Sequence, residues 1–562
     1  MPSVFSSMRG YRAGWLRADL IAGLTVWAVL VPESLAYAAI AGVSPVVGLY
    51  AAPPALVLYA IFGSSRHLVV GPMSATAALS AATVAALAAQ GSADYAKLTA
   101  ALAVVTGVVA VLAGLLRLGF LAGFISEPVL KGFIIGLALV IIAGQLPALF
   151  GVEKGEGDFF EKIWDLITNL GQTNGWTLTI GLTSLALVLA LKRYLPLLPA
   201  ALVAVVYGVL AVVVLDLQDH GVAVVGQIDS GLPSLGLPDL GLSDYLSLVG
   251  GAVGVVLVGF AEGLGAAKTY AAKAGYDVDP NRELVGLGTA NLGSGLASGM
   301  VVNGSLSKTA VNGGAGAKSQ VSGLVVAVLT VITLLFLTGL FEQLPEATLA
   351  AVVIAAVIEL VDLPALARLY RLWTARLRSI YGPAVRADFL AAVVALGGVL
   401  VFDTLPGLFL GIAASVLLLV YRASRPNVAV LGRLEGNTEP WVDRARYPDA
   451  RSDPGILVAR VEGGLFFANA DHVRQRIKEL ARTESARAVV LDAETTPWID
   501  ITATQMLLDL ANDLARHDGR LLIARDIGQV RDLLGQAGAD DTLTRVYRTV
   551  DAAVAAARDG GL

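Results

Sequence analysis

Cysteine is absent from the 562-residue chain, and histidine occurs four times. Without thiols there is neither a disulfide frame nor a thiolate metal site, and four scattered histidines leave little for a zinc centre. Charge is also scarce, with Asp, Glu, Lys and Arg at 15% of residues against about a quarter in soluble domains. The net charge of −5 is modest and no Lys/Arg-rich stretch is interleaved with aromatics, which argues against a nucleic-acid partner. No nucleophile–base pair and no phosphate-binding glycine loop emerges, so the chain does not read as an enzyme, and neither a cofactor nor a metal is expected. What is abundant is apolar: 56% of residues are hydrophobic and the mean hydropathy is +0.72. That excess must face lipid. The chain therefore reads as a polytopic α-helical membrane protein, with the bilayer as its first partner.

Splitting the apolar runs at turn signals and charges predicts fourteen spans, beginning near residues 20, 45, 73, 98, 128, 177, 197, 246, 283, 306, 319, 347, 387 and 405. Basic residues collect in cytoplasmic loops. With the N-terminus inside, the inner side receives Arg66, Arg117, Lys192, Arg193, Lys268, Lys273, Arg282, Lys318 and the cluster Arg368, Arg371, Arg376, Arg378 and Arg386. The outer side receives Lys97, Lys154 and Lys162, and its long loop carries Asp216, Asp219, Asp229, Asp239 and Asp244. An even number of spans puts both termini in the cytoplasm of a cell whose inner (plasma) membrane holds the protein. Arg9, Arg12 and Arg17 precede the first apolar run, which no small-residue cleavage site follows, so it is expected to stay as an uncleaved helix.

After Pro426 the composition becomes that of a soluble domain. Short apolar runs at 457–461, 488–491 and 520–523 fit buried strands, and amphipathic stretches at 471–482 and 502–516 fit surface helices. The expected organisation is a transmembrane domain over 1–425, a linker over 426–451 with Pro426, Pro440 and Pro448, and a small cytoplasmic α/β domain over 452–562.

The two halves of the membrane part repeat. Gly71-Pro-Met-Ser74-Ala-Thr76-Ala77 and Gly304-Ser-Leu-Ser307-Lys-Thr309-Ala310 both read G-x-x-S-x-T-A and both open an apolar helix. Upstream of each an acid lies within an apolar span: Glu33 in Val31-Pro-Glu-Ser-Leu-Ala and Glu262 in Phe260-Ala-Glu-Gly-Leu-Gly. Seven spans per half is odd, so the second copy would enter from the opposite side, the inverted-repeat plan of many secondary transporters. Gly71-Pro72 and Asn303-Gly304 cannot comfortably continue a helix, so each predicts an extended stretch followed by a helix that starts mid-membrane. Two such N-termini facing each other would favour an anion through their unpaired N–H groups and dipoles. Ser74 and Ser307 would sit near those ends, capping the helix, contacting a ligand or bonding between helices, and Lys308 adds a full positive charge. A carboxyl within a span is paired, protonated or cavity-facing. Glu33 is thus either a partner for Lys308 or backbone amides, or a proton or cation site, and Glu262 carries the same two readings. Tyr37, one turn after Glu33, lines the site or packs.

Several segments together resemble the sulfate permease family (SulP, solute carrier family 26). They are Pro32-Glu-Ser-Leu-Ala-Tyr37-Ala, Phe62-Gly-Ser-Ser-Arg-His67 before Val70-Gly-Pro, Asn281-Arg-Glu-Leu284, and Gly304-Ser-Leu-Ser-Lys-Thr-Ala-Val-Asn312. In the tail, Phe466-Phe-Ala-Asn469-Ala and Ile499-Asp-Ile-Thr502-Ala are similar to its STAS domain. The resemblance implies a seven-plus-seven fold with a core of spans 1–4 and 8–11, a gate of spans 5–7 and 12–14, a homodimer and elevator-like movement. It places substrate contacts at Glu33, Tyr37, Met73, Ser307 and Lys308. Two departures bear on function. Many relatives have arginine at the position of Lys308, which would bind an anion in a bidentate fork. Many, notably uncoupled animal exchangers, have glutamine at the position of Glu33. In the tail, Asp500-Ile-Thr502 keeps a hydroxyl where phosphorylation-switched STAS domains carry serine, but a plain loop that caps the next helix is the favoured reading over a phosphothreonine switch.

The expected activity is proton-coupled symport of a small inorganic anion, sulfate, with Glu33 and Glu262 as coupling-ion candidates and Ser74 beside the family positions. Rival cargoes on the same fold are bicarbonate, chloride or a dicarboxylate. A sodium-coupled bicarbonate symporter would hold Na⁺ near Glu262 with Thr76 and Thr309 as ligands. A more distant rival is a membrane-anchored regulatory protein whose STAS domain binds a cytoplasmic partner.

Overall fold

Several of the longer helices in this chain end at a glycine. In the computed structural model, residues 5–559 are described apart from 9, 121–125, 154, 156, 196–197, 229, 359–360, 363, 365–366, 369, 372–381, 403, 435–440, 539–542, 544 and 546. Lys154, Asp229, Arg376, Arg378 and Pro440 lie outside the described residues, as does the side chain of Arg386. The first half comprises α1 (Leu16–Ala41), α2 (Pro45–Phe62), β1 (Val69–Gly71), α3 (Ser74–Ala85), α4 (Ala93–Leu115), α5 (Glu127–Phe150), α6 (Phe159–Asn169), α7 (Gly175–Tyr194) and α8 (Ala200–Leu215). The second comprises α9 (Leu242–Ser247), α10 (Val249–Ala274), α11 (Pro280–Leu296), β2 (Asn303–Ser305), α12 (Leu306–Gly314), α13 (Val321–Ile332), α14 (Glu346–Ile358), α15 (Gly382–Phe402) and α16 (Thr404–Ala423).

Gly42, Gly151 and Gly275 end α1, α5 and α10 in the left-handed conformation that glycine adopts without penalty. Side chains of Ser92, Asn174 and Asp279 accept from backbone amides at the starts of α4, α7 and α11. Between the fifth and sixth expected spans lies α6, which the hydropathy reading did not predict. It starts in a capping box of Asp158 and Glu161, and Phe160 and Trp164 on it are exposed.

Among the described residues, eight helices are long and apolar enough to cross a membrane, and four more are apolar but shorter, α3 and α8 among them. The expected spans near 283 and 306 fall in neither group. Their helices, α11 and α12, hold 17 and 9 residues and include Asn281, Arg282, Glu283 and Lys308. Close approach of small residues replaces hydropathy there. A Cβ on Gly107 of α4 would lie 2.7 Å from the carbonyl oxygen of Gly288 on α11, so those two helices touch backbone to backbone.

The chain divides into two compact units, one holding most of the helices up to Ser415 and one running from Val416 to the end. The second contains a five-stranded sheet of order β4-β3-β5-β6-β7, built from β3 (Val428–Arg433), β4 (Trp441–Asp443), β5 (Ile456–Val461), β6 (Ala488–Asp492) and β7 (Arg520–Ala524). β5, β6 and β7 run parallel, while β3 joins β5 and β4 antiparallel. The helices are α17 (Ala470–Thr483), α18 (Ile501–Ala515), α19 (Gly528–Gln536) and α20 (Val550–Asp559). Alternation along β5 sorts the faces: Leu457, Ala459 and Val461 pack with α17, α18 and α19, and Ile456 and Val458 pack with α20. The stretch 426–451, expected to be a linker, instead supplies β3 and β4. Pro426 lies two residues before β3, leaving Val428, Ala429 and Val430 free to pair with β5.

A lysine at the crossing of two broken helices

The two G-x-x-S-x-T-A segments meet. β1 pairs antiparallel with β2, Val69 opposite Ser305, Val70 opposite Gly304 and Gly71 opposite Asn303. Each strand runs straight into its short helix, so the starts of α3 and α12 flank one crossing. Gly304 approaches the buried Leu68 closely, since a Cβ would lie 2.7 Å from that side chain and force it to shift. Gly259 and Gly263 of α10 make room for the Asn303 side chain beside the same strand.

Lys308 occupies the first turn of α12 and its side chain is wholly buried. Its Nζ lies 2.8 Å from Glu33 Oε2 and donates to the Pro72 carbonyl at 3.0 Å. It also stands 4.9 Å from the centre of the Tyr37 ring, a cation–π contact. Glu33 and Tyr37 come from α1, where Pro32 removes one backbone donor beside the acid. The Pro72 carbonyl is available because Gly71-Pro72 is extended rather than helical. Met73, the residue before α3, receives a long contact from Asn303 Nδ2 at 3.9 Å and is buried. Of the expected site residues, then, Glu33, Tyr37 and Lys308 are in direct contact, with Met73 and Ser74 immediately after the carbonyl that Lys308 holds.

The serines differ from each other. Ser74 is buried at the first position of α3, which has no side-chain cap. Ser307 is exposed, and the cap of α12 is Ser305, whose Oγ accepts from the Lys308 backbone amide and lies 3.1 Å from Ser307 Oγ. The capping hydroxyl thus comes two residues before the expected serine, because the strand ends there and puts Ser305 in the extended conformation a cap requires. Glu262 on α10 is half-buried, and its Oε2 has no hydrogen-bond partner among the described residues. It is not joined to Lys308. Thr76 Oγ1 donates to the Met73 carbonyl, while Thr309 Oγ1 donates to the Ser305 carbonyl and accepts from Val69 N, so both hydroxyl protons are held by the backbone of the crossing while each oxygen keeps a lone pair.

Residues that hold the crossing escaped the sequence reading. Glu283 in the first turn of α11 is fully buried and accepts from Tyr59 Oη (2.7 Å), Ser64 N (2.8 Å), Ser64 Oγ (2.7 Å) and Ser65 N (3.1 Å). Gln320 Nε2 donates to the Ser65 and Leu68 carbonyls, and Asn312 Nδ2 to that of His67. Asp19 on α1 accepts from Lys318 N, Ser319 N and Ser319 Oγ. The Phe62–His67 and Asn281–Leu284 segments were the available signal: they are the two sides of the Glu283 contact.

Comparison with known proteins matches this arrangement to one family. A family model described as "Sulfate permease family" covers residues 16–377, and a "STAS domain" model covers 447–553. A "Probable sulfate transporter" of Mycobacterium tuberculosis is 36% identical over 554 residues, covering 98% of this chain and 97% of its own. "Sulfate transporter 1.1" of Arabidopsis thaliana is 30% identical, covering 92% of this chain and 81% of its own. A solved structure of SLC26A9 superposes with a TM-score of 0.85 at 25% identity, over 98% of this chain and 91% of that one. The transmembrane domain of a cyanobacterial bicarbonate transporter shares the fold at a TM-score of 0.60 and 22% identity, over 72% of this chain and 98% of that one. With two family models matched in order and relatives similar along nearly the whole length, the chain belongs to the sulfate permease family of multi-pass anion transporters and carries its C-terminal STAS domain.

Proposed function

We propose that this protein is a proton-coupled symporter of sulfate, working as a homodimer by an elevator movement of a core built on spans 1–4 and 8–11 against a gate of spans 5–7 and 12–14. The reading takes the fourteen spans as a seven-plus-seven inverted repeat with both termini in the cytoplasm. The observation that carries it is the wholly buried Lys308 ammonium, 2.8 Å from the Glu33 carboxylate at the crossing of two broken helices. A carboxylate and an anion compete for one cation. Protonation of Glu33 releases Lys308 and the α3 dipole to the anion, and deprotonation restores the ion pair and expels it. By linkage each ligand then tightens the other, which is what symport requires. Tyr37, Met73, Ser74 and Ser307 complete the lining, and Glu262 is the reserve coupling site.

The sodium-coupled bicarbonate reading would draw on the lone pairs that Thr76 and Thr309 keep after donating to the backbone, and chloride or a dicarboxylate would use the same cation as sulfate. The regulatory-anchor reading gives the buried Lys308–Glu33 pair nothing to do, although the STAS domain retains room for a cytoplasmic partner. Uptake of radiolabelled sulfate into proteoliposomes under separately imposed pH and sodium gradients tests the proposal. Acceleration by an inward proton gradient is expected, and acceleration by sodium alone would overturn it.

A further inference from the structure

Two loops of the STAS unit are sewn into one surface. Leu465 N donates to the Trp498 carbonyl, Asp500 N to the Leu465 carbonyl, and Phe467 N to Asp500 Oδ2 at 2.8 Å. Beneath them Phe466 packs on Trp498, ring centres 5.4 Å apart. What faces outward is apolar: Ile501 is 84% exposed, Phe467 74% and Trp498 45%. Large apolar side chains gathered on one edge of a soluble unit mark a contact surface.

The same loop is tied to a membrane helix. Asn469 Nδ2 donates to the Gly464 carbonyl and, at 3.0 Å, to the carbonyl of Ala423, the last residue of α16. α16 is one of the eight helices long and apolar enough to cross a bilayer, and Leu417, Leu419 and Val420 in its final turns are exposed. The end of α16 carries the marks of the water boundary. Tyr421 is exposed, and the Arg425 guanidinium stacks 4.9 Å above its ring while Nη1 donates to its hydroxyl. Aromatic and basic residues gather at that depth in membrane proteins. The headgroup layer is roughly 5–8 Å thick on each side. Phe467 is two residues from Asn469, hence within about 7 Å of it along the chain.

We propose that Phe467, Trp498 and Ile501 insert into the headgroup layer of the bilayer where α16 leaves it, so that this edge of the STAS unit is a lipid-contacting surface. Continuity with α16 selects lipid as the occupant, because the residue that orients the patch bonds the carbonyl at the membrane boundary. The two STAS signature segments then have a physical task, in which Asn469 and Asp500 fix the loops that carry the apolar side chains.

The cysteine-free chain makes the test clean, since one introduced thiol is a unique label site. Ile501→Cys and Phe467→Cys in the full-length protein, labelled with an environment-sensitive fluorophore, are reconstituted into phosphatidylcholine–phosphatidylglycerol vesicles. Asp518→Cys, exposed beyond the far end of α18, is the control. The expected result is blue-shifted emission at 467 and 501, quenched by lipids bearing a shallow nitroxide and little by aqueous iodide, with the reverse at 518. Iodide quenching at 467 and 501 equal to that at 518 would put the patch in water and overturn the proposal. Protection from both quenchers would overturn it equally, placing protein rather than lipid over the patch. All three positions are exposed, so the substitutions leave the core of the unit intact.

Discussion

Replacing Glu33 with glutamine separates anion binding from proton coupling, because glutamine keeps the shape of the neutral acid but cannot exchange a proton. In the wild type the carboxylate holds Lys308 Nζ at 2.8 Å. An anion on the other side of that ammonium would lie about 5 Å from the carboxylate, where like unit charges at an effective dielectric of about 20 repel by roughly 3 kcal/mol. Sulfate affinity should therefore fall on the order of 100-fold between conditions in which Glu33 is protonated and those in which it is ionised. If one proton accompanies each anion, the slope approaches tenfold per pH unit at its steepest. In Glu33→Gln the repulsion is absent at every pH, so affinity should stay near its acid value and the slope should vanish. Lys308 retains the Pro72 carbonyl and the Tyr37 ring but lacks a counter-charge, so added sulfate should raise the thermal midpoint of the variant more than that of the wild type at neutral pH. Equilibrium binding of radiolabelled sulfate across the acid-to-neutral range, with proteoliposome uptake under an inward proton gradient, measures both halves. Gradient-driven uptake that persists in Glu33→Gln would refute the coupling role and pass it to Glu262 or to none. A variant that fails to fold even with sulfate present would make Glu33 a structural partner of Lys308.

Lys308→Ala should weaken sulfate binding about 30-fold or more, since it strips the site of its only full positive charge among the described residues in contact with Glu33, whereas Lys308→Arg should retain binding with altered selectivity. Wild-type affinity in the alanine variant, read by the same binding assay, would remove Lys308 from the site. Glu283→Ala should destabilise the purified protein by about 3 kcal/mol or more, because it orphans buried donors from Tyr59, Ser64 and Ser65. Glu283→Gln should cost less, and thermal unfolding in detergent ranks the two. Gly48→Ala should reduce folded yield sharply, as its Cβ would lie 2.0 Å from the Ser34 carbonyl and push α2 off the α1 segment that carries Glu33. Monodispersity on size exclusion reports that loss, and an undisturbed profile would contradict the packing described.

Much of this protein is written locally. Apolar runs are long enough to need lipid, Gly71-Pro72 and Asn303-Gly304 cannot continue a helix, and the repeated G-x-x-S-x-T-A is visible without any structure. Hydropathy and backbone stereochemistry act over a few residues, so a linear reading recovers them. The same reading misplaced β3 and β4, whose short runs between prolines look like linker until β5 offers them a partner. It left open whether Ser307 caps its helix, and the cap is Ser305, a matter of where a strand ends by a residue or two. What only the tertiary structure decided is which polar groups meet. Glu33 and Lys308 belong to opposite halves of the chain, as do Glu283 and the Ser64–Ser65 turn, and Val69 and Thr309. Such pairs follow from the antiparallel pairing of β1 with β2 and the backbone contact of α4 with α11, and no periodicity in either partner encodes the other. A buried charge must find a counter-charge or a dipole somewhere, and the sequence determines that need. Only the packed chain determines which atom meets it.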